Sequence, residues 1–154
     1  MSLDYNFSIA TGLRPQQVLR IALDELGLKP ETVLLAEGVF KETAGPGFTV
    51  SAGPMSPLAR TILEEELKLS PSVDLQFWVD KGEQRHEALT AILRSVLAVL
   101  HHVPGDAVLL FIGETVHLLR RDGQLYLNGR TGLWRPERLK RVNMPYTLKD
   151  FPVL

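Results

Sequence analysis

Four histidines, a Glu64-Glu65-Glu66 run and a basic stretch near the C-terminus are the parts of this 154-residue chain whose residue types could do chemistry. His101 and His102 are neighbours, and adjacent positions on a regular helix diverge by about 100°, so the pair cannot close on one metal ion. His86 lies well upstream of them, and a surface role suits it better than ligation. His117 stands alone: strand pairing across the Asp122-Gly123 turn sets it opposite Asn128, with no acid beside it. It reads as a satisfied, partly buried histidine, with an enzyme or ligand site around it as the alternative. The three glutamates spread around a helix instead of converging. Asp74 and Asp80 lie about 20 Å apart along a strand, too far to cooperate. No nucleophile elbow, Walker loop or dinucleotide fingerprint is present. With no cysteine, disulfides, thiolate catalysis and cysteine-based zinc sites are excluded. The expectation is a chain with no catalytic residue, no metal site and no cofactor.

The formal charge of −1 argues against a dedicated nucleic-acid binder, yet the charges are segregated. Residues 24–90 carry twelve acids against six bases, a balance of −6. Residues 120–141 carry Arg120, Arg121, Arg130, Arg135, Arg138, Lys140 and Arg141 against Asp122 and Glu137, a balance of +5. With Trp134 and Tyr126 nearby, that stretch could grip a single strand. A solvated or acid-paired surface explains it better, because no recognised nucleic-acid motif accompanies it. The N-terminus lacks the basic-then-apolar pattern of a signal peptide, and no run reaches the ~20 apolar residues of a membrane span. A cytoplasmic location is expected.

These residues must be positioned by elements that periodicity places. Asp4 to Ala10 alternates, with Tyr5, Phe7 and Ile9 on one side. Pro15 opens a helix carrying Val18, Leu19, Ala22, Leu23 and Leu26, which Gly27 ends. Val33 to Phe40 and Phe48 to Ala52 suggest a hairpin around Gly45-Pro46-Gly47. Ser56-Pro57 is a cap followed by proline in the first turn, starting a helix to about Leu67. Val73 to Asp80 alternates most cleanly, and Glu83 to His102 is the longest helix. Val108 to Ile112, the turn at Gly113-Glu114 and Asp122-Gly123 give a three-stranded meander. The predicted fold is α+β: a mainly antiparallel sheet of about six to seven strands with two or three helices packed on one face. It forms one domain over residues 1–154, in which 129–154 is a C-terminal strap with a short helical turn near Pro136 to Lys140.

Alternation also predicts a polar sheet face opposite the helices, with Asn6, Ser8, Thr49, Ser51, Gln76 and Trp78. In the meander, Val116 and Leu118 fall on the helix side, and Thr115, His117, Leu119, Tyr126 and Asn128 on the other. Aromatics among small polar groups are the composition of a recognition patch, so Trp78, Gln76, His117, Tyr126 and Asn128 are the candidate partner-binding residues. The competing reading has the C-terminal strap covering this face, because Trp134, Phe151 and Val153 need burial.

Several segments together resemble one family: the opening LDYNFSIATGLRPQQVL, the middle GFTVSAG, and PGDAVLLFIGETVHLLRRDGQLYLN followed by GLWRPERL. They are similar to the immunity proteins of the swarming-inhibition (Sit) toxin systems of myxobacteria and their small bacterial homologues. One departure is Arg14-Pro15, where a Thr-Pro or Ser-Pro helix start is expected. The resemblance implies a non-enzymatic cytoplasmic protein that protects its own cell by binding a cognate protein toxin, and it carries no catalytic motif.

Overall fold

A computed structural model of the chain describes residues 2–154. The elements run β1 (Ser2–Ile9), α1 (Pro15–Asp24), a short 3-10 turn (Ala36–Gly38), β2 (Thr43–Gly45), β3 (Phe48–Pro54), α2 (Pro57–Leu67), β4 (Val73–Asp80), α3 (Arg85–His102), β5 (Ala107–Phe111), β6 (Thr115–Arg121), β7 (Gln124–Asn128), α4 (Pro136–Leu139) and β8 (Thr147–Lys149). The strands form one sheet in the order β2-β3-β4-β1-β5-β6-β7-β8. All its pairings are antiparallel except β7 with β8. The α+β class and the mainly antiparallel sheet hold, with eight strands in place of the expected six to seven.

Why each helix begins where it does follows from its first residues. Arg14 offers no capping oxygen, and Gln17 compensates by accepting the Arg14 backbone N–H at 2.8 Å, half of a capping box. Ser56 caps α2 through its hydroxyl, which accepts the Ala59 N–H at 3.3 Å. Helices α1 and α3 pack against each other and on one face of the sheet. There they bury Val18, Leu19 and Leu23, and Ile92, Val96 and Val99, against Phe7, Leu75, Phe77 and Leu109. Helix α2 lies on the other face, where Leu63 and Leu69 meet Val108, Leu110, Val116 and Leu119. Phe151 and Leu154 of the tail join that cluster, and the Leu154 N–H donates to Glu114 O at 3.0 Å.

The tail adds β8 to the sheet edge and then crosses the outer face of the meander. Of the three side chains expected to need cover, Phe151 is half-buried there. Trp134 is buried on the helix side, and Val153 stays 68% exposed.

Two expectations are corrected. Val33 to Phe40 is not a regular strand. It makes one isolated bridge, Leu34 with Phe40, and Glu37 (φ 61°) and Gly38 (φ 76°) turn the backbone out of the extended region. The hairpin partner of β3 is the shorter β2. The second correction is the facing of β6. Leu109 pairs with Leu118 but Leu110 pairs with Val116, so His117 is an extra residue with no partner on β5. Such a bulge resets which side chains face which way. Val116 joins Leu119 on the α2 side, whereas His117 turns to the helix side with Leu118. Among the described residues, no helix is long and apolar enough to cross a membrane.

Candidate functional site

The five candidate binding residues do not form one surface. Trp78 and Gln76 sit half-buried on the sheet face turned away from α1 and α3. Trp78 pairs with Asp4 and Thr49, and Gln76 with Asn6 and Ser51. This part of the sheet carries the expected small polar groups around one large aromatic. Close by, Asp74 accepts hydrogen bonds from Ser8 Oγ at 3.1 Å and Asn6 Nδ2 at 3.3 Å. Burial pushes its carboxyl up, and the two donors pull it back.

Tyr126 lies on the same face but at the far side of the sheet. Four strand spacings separate β4 from β7, a distance of about 19 Å. The Lys149 ammonium stands 5.3 Å from the Tyr126 ring centre, a cation–π contact made by the strap. Asn128 is buried, and both ends of its amide serve the backbone. Its Nδ2 donates to Val116 O at 2.8 Å, next to the bulge, and its Oδ1 accepts the Arg130 N–H at 3.0 Å.

His117 belongs to a different place altogether. The bulge turns it into a cleft of about 820 Å³ bounded by the start of α3, the Thr131–Arg138 segment and the edge of β1 and β5. Its ring stacks on Tyr5 with 5.8 Å between centres and stands 6.1 Å from Phe111. Nδ1 shares a 3.0 Å hydrogen bond with Thr131 Oγ1, whereas Nε2 is buried and unpartnered. Burial depresses the ring's pKa to about 4, so the imidazole is neutral at neutral pH. Its backbone carbonyl accepts Trp134 Nε1–H at 2.8 Å, which ties the α4 approach to the sheet.

Across the cleft stands Arg138, only 3% exposed. Its guanidinium donates to Leu133 O at 3.0 Å and to His86 Nδ1 at 2.9 Å, and its Nε has no partner. Arg135 also approaches His86 Nδ1, at 3.5 Å. Burial and then the Arg135 charge pull Arg138 below its usual range, opposed by Glu137 and Tyr5. The Tyr5 phenol is pushed up by burial and drawn back by Arg85, which hydrogen-bonds it.

The basic stretch predicts Arg120 and Arg138 at a surface, and the structure turns both inward. Arg120 ends α3: it donates to Leu100 O at 2.7 Å, Val103 O at 2.5 Å and Gly105 O at 2.8 Å. Leu100 O is one of the carbonyls that a helix terminus leaves unsatisfied, Val103 is the C-cap and Gly105 lies in the turn that follows. Of the others, Arg121 donates to Leu67 O and Arg130 pairs with Asp150 at 2.8 Å. Arg120, Arg121, Arg130 and Arg138 of the basic stretch thus do not share a free surface. Arg120 has the same strand parity as Leu118, which faces the helices, and that parity was the available signal for its burial.

Compared with known families, the chain matches the family model described as SitI3-like over residues 3–138. The chain belongs to the SitI3-like family. The match spans every element from β1 to the third residue of α4, and so includes Trp78, Gln76, His117, Tyr126, Asn128 and the cleft. In this SitI3-like chain β8 and the tail after it lie beyond the matched residues. No curated protein and no solved structure matches the chain.

Proposed function

We propose that this SitI3-like chain is a non-enzymatic immunity-type protein that binds and neutralises a cognate bacterial toxin in the cytoplasm. The observation that carries the reading is the family match over residues 3–138. The surface assigned to the toxin is the sheet face around Trp78 and Gln76 on β4, with Asp4 and Asn6 of β1 and Thr49 of β3 beside them. It is the stretch of the outer face that neither Leu63 and Leu69 nor the strap residues Phe151 and Leu154 occupy. A half-buried tryptophan ringed by small polar side chains has the make-up of an anchoring residue inside a polar rim. The acidic bias of residues 24–90 would speed association with a basic toxin.

The test is calorimetry of the purified chain with the toxin encoded beside it. Trp78→Ala is expected to weaken binding by more than ~1 kcal/mol while the thermal unfolding midpoint stays near that of the parent. Unchanged affinity in that variant would move the toxin to another surface.

A further inference from the structure

The cleft beside His117 has a charge imbalance that the fold does not resolve. Arg85, Arg135 and Arg138 all line it, and Glu83 is the one carboxylate on its wall. Among the described residues none of these three arginines forms an ion pair with a carboxylate. Arg138 is the decisive member. Its charge is buried, its head group is met by the Leu133 and His86 carbonyls and the His86 imidazole but by no carboxylate, and its Nε is left without a partner. A buried guanidinium without an anion is costly, and structures normally supply one.

The hydrogen-bond polarity on this wall also runs one way. Since Arg138 donates to His86 Nδ1, the His86 ring carries its proton on Nε2 and remains a donor there. The rest of the lining is largely apolar and aromatic, with Phe111, Leu89 and the stacked Tyr5 and His117 rings. At about 820 Å³ the cleft falls within the range of small-molecule sites.

We propose that this cleft binds a small organic anion, its carboxylate or phosphate group received by Arg135, Arg138 and His86 and its apolar body laid against Phe111, Leu89 and Tyr5. Guanidinium groups suit both oxyanions, because their parallel N–H donors match two oxygens at once. The site lies on the helix side of the sheet, away from the Trp78 face, so it does not depend on the toxin reading.

The experiment is an NMR titration of the full chain, uniformly labelled with nitrogen-15, with three probes of similar size: benzoate, phenyl phosphate and benzyl alcohol. The expected result is saturable shifts at residues lining the cleft with either anion, at a Kd below ~5 mM, and binding of the alcohol at least about tenfold weaker. The tighter anion identifies the head group. Arg135→Gln changes an exposed side chain and leaves the buried Arg138 contacts in place, so it tests charge without threatening the fold. It should weaken the anions by about fivefold or more and leave the alcohol unmoved. Equal binding of all three probes, anion binding indifferent to Arg135→Gln, or no saturation by either anion at ~20 mM would each overturn the proposal.

Discussion

His117 offers the most quantitative handle on the structure, because its position at the bulge sets its titration. The folded ring has a pKa of about 4 against the ordinary 6.5, owing to burial beside Tyr5 and Phe111. The folded protein therefore binds this proton more weakly than the unfolded chain does. Stability is full above about pH 6.5 and falls as the solution is acidified through the window down to about 4. Worked through, the loss attributable to this one ring between pH 7 and pH 5 is about 2 kcal/mol. Asp74 acts in the opposite sense, because its raised carboxyl pKa makes protonation favour the folded state as pH falls. Its effect cancels when two chains differing only at residue 117 are compared. His117→Asn is the suitable partner, since an amide nitrogen at the Nδ1 position can still donate to Thr131 Oγ1. Urea unfolding at pH 7 and pH 5 should show the parent losing about 2 kcal/mol more than the variant. Parallel losses in the two chains would refute the burial of His117 on the helix side.

Three other perturbations probe what holds these elements in place. Arg120→Met removes the donors from Leu100, Val103 and Gly105 carbonyls while keeping much of the packing volume; denaturant unfolding should show a loss of about 3 kcal/mol. Gly105→Ala places a methyl against the Ala10 carbonyl at a residue with φ +121°. It should cost more than ~2 kcal/mol by the same assay, whereas Gly129→Ala, with only Leu148 nearby, should cost much less. Asn128→Ala leaves the Val116 carbonyl and the Arg130 N–H without their partners. A loss of about 2 kcal/mol is expected, together with faster hydrogen exchange around the bulge.

What the sequence reveals depends on how local the cause is. The strand Val73–Asp80 and the Asp122-Gly123 turn are legible because alternation and positive φ at both turn residues are properties of a few adjacent residues. The helix starts at Pro15 and Pro57 are legible for the same reason. The Val33–Phe40 segment misleads because its apolar residues suggest a buried strand. Instead Val33, Leu34 and Leu35 are about half exposed, and a single bridge holds them. The bulge at His117 has no marker of its own in the sequence. It is set by how Val108–Phe111 must register against two neighbours at once, β1 and β6, and one displaced residue moved His117 from the predicted recognition face into a cleft. Trp78 and Gln76 lie on the polar face that alternation predicts, because no irregularity interrupts β4. The cleft itself joins Tyr5, His86, His117 and Arg138, which lie far apart in the chain and share no local pattern.

The proposed neutralisation of a toxin is tested by co-expression. The chain should be produced in bacteria together with the protein encoded beside it, with survival scored and the pair purified through a tag on one member. The neighbour is expected to kill when expressed alone, this chain to restore growth, and the two to co-purify. A neighbour that is harmless alone, or one that kills regardless and leaves this chain unbound, would contradict it.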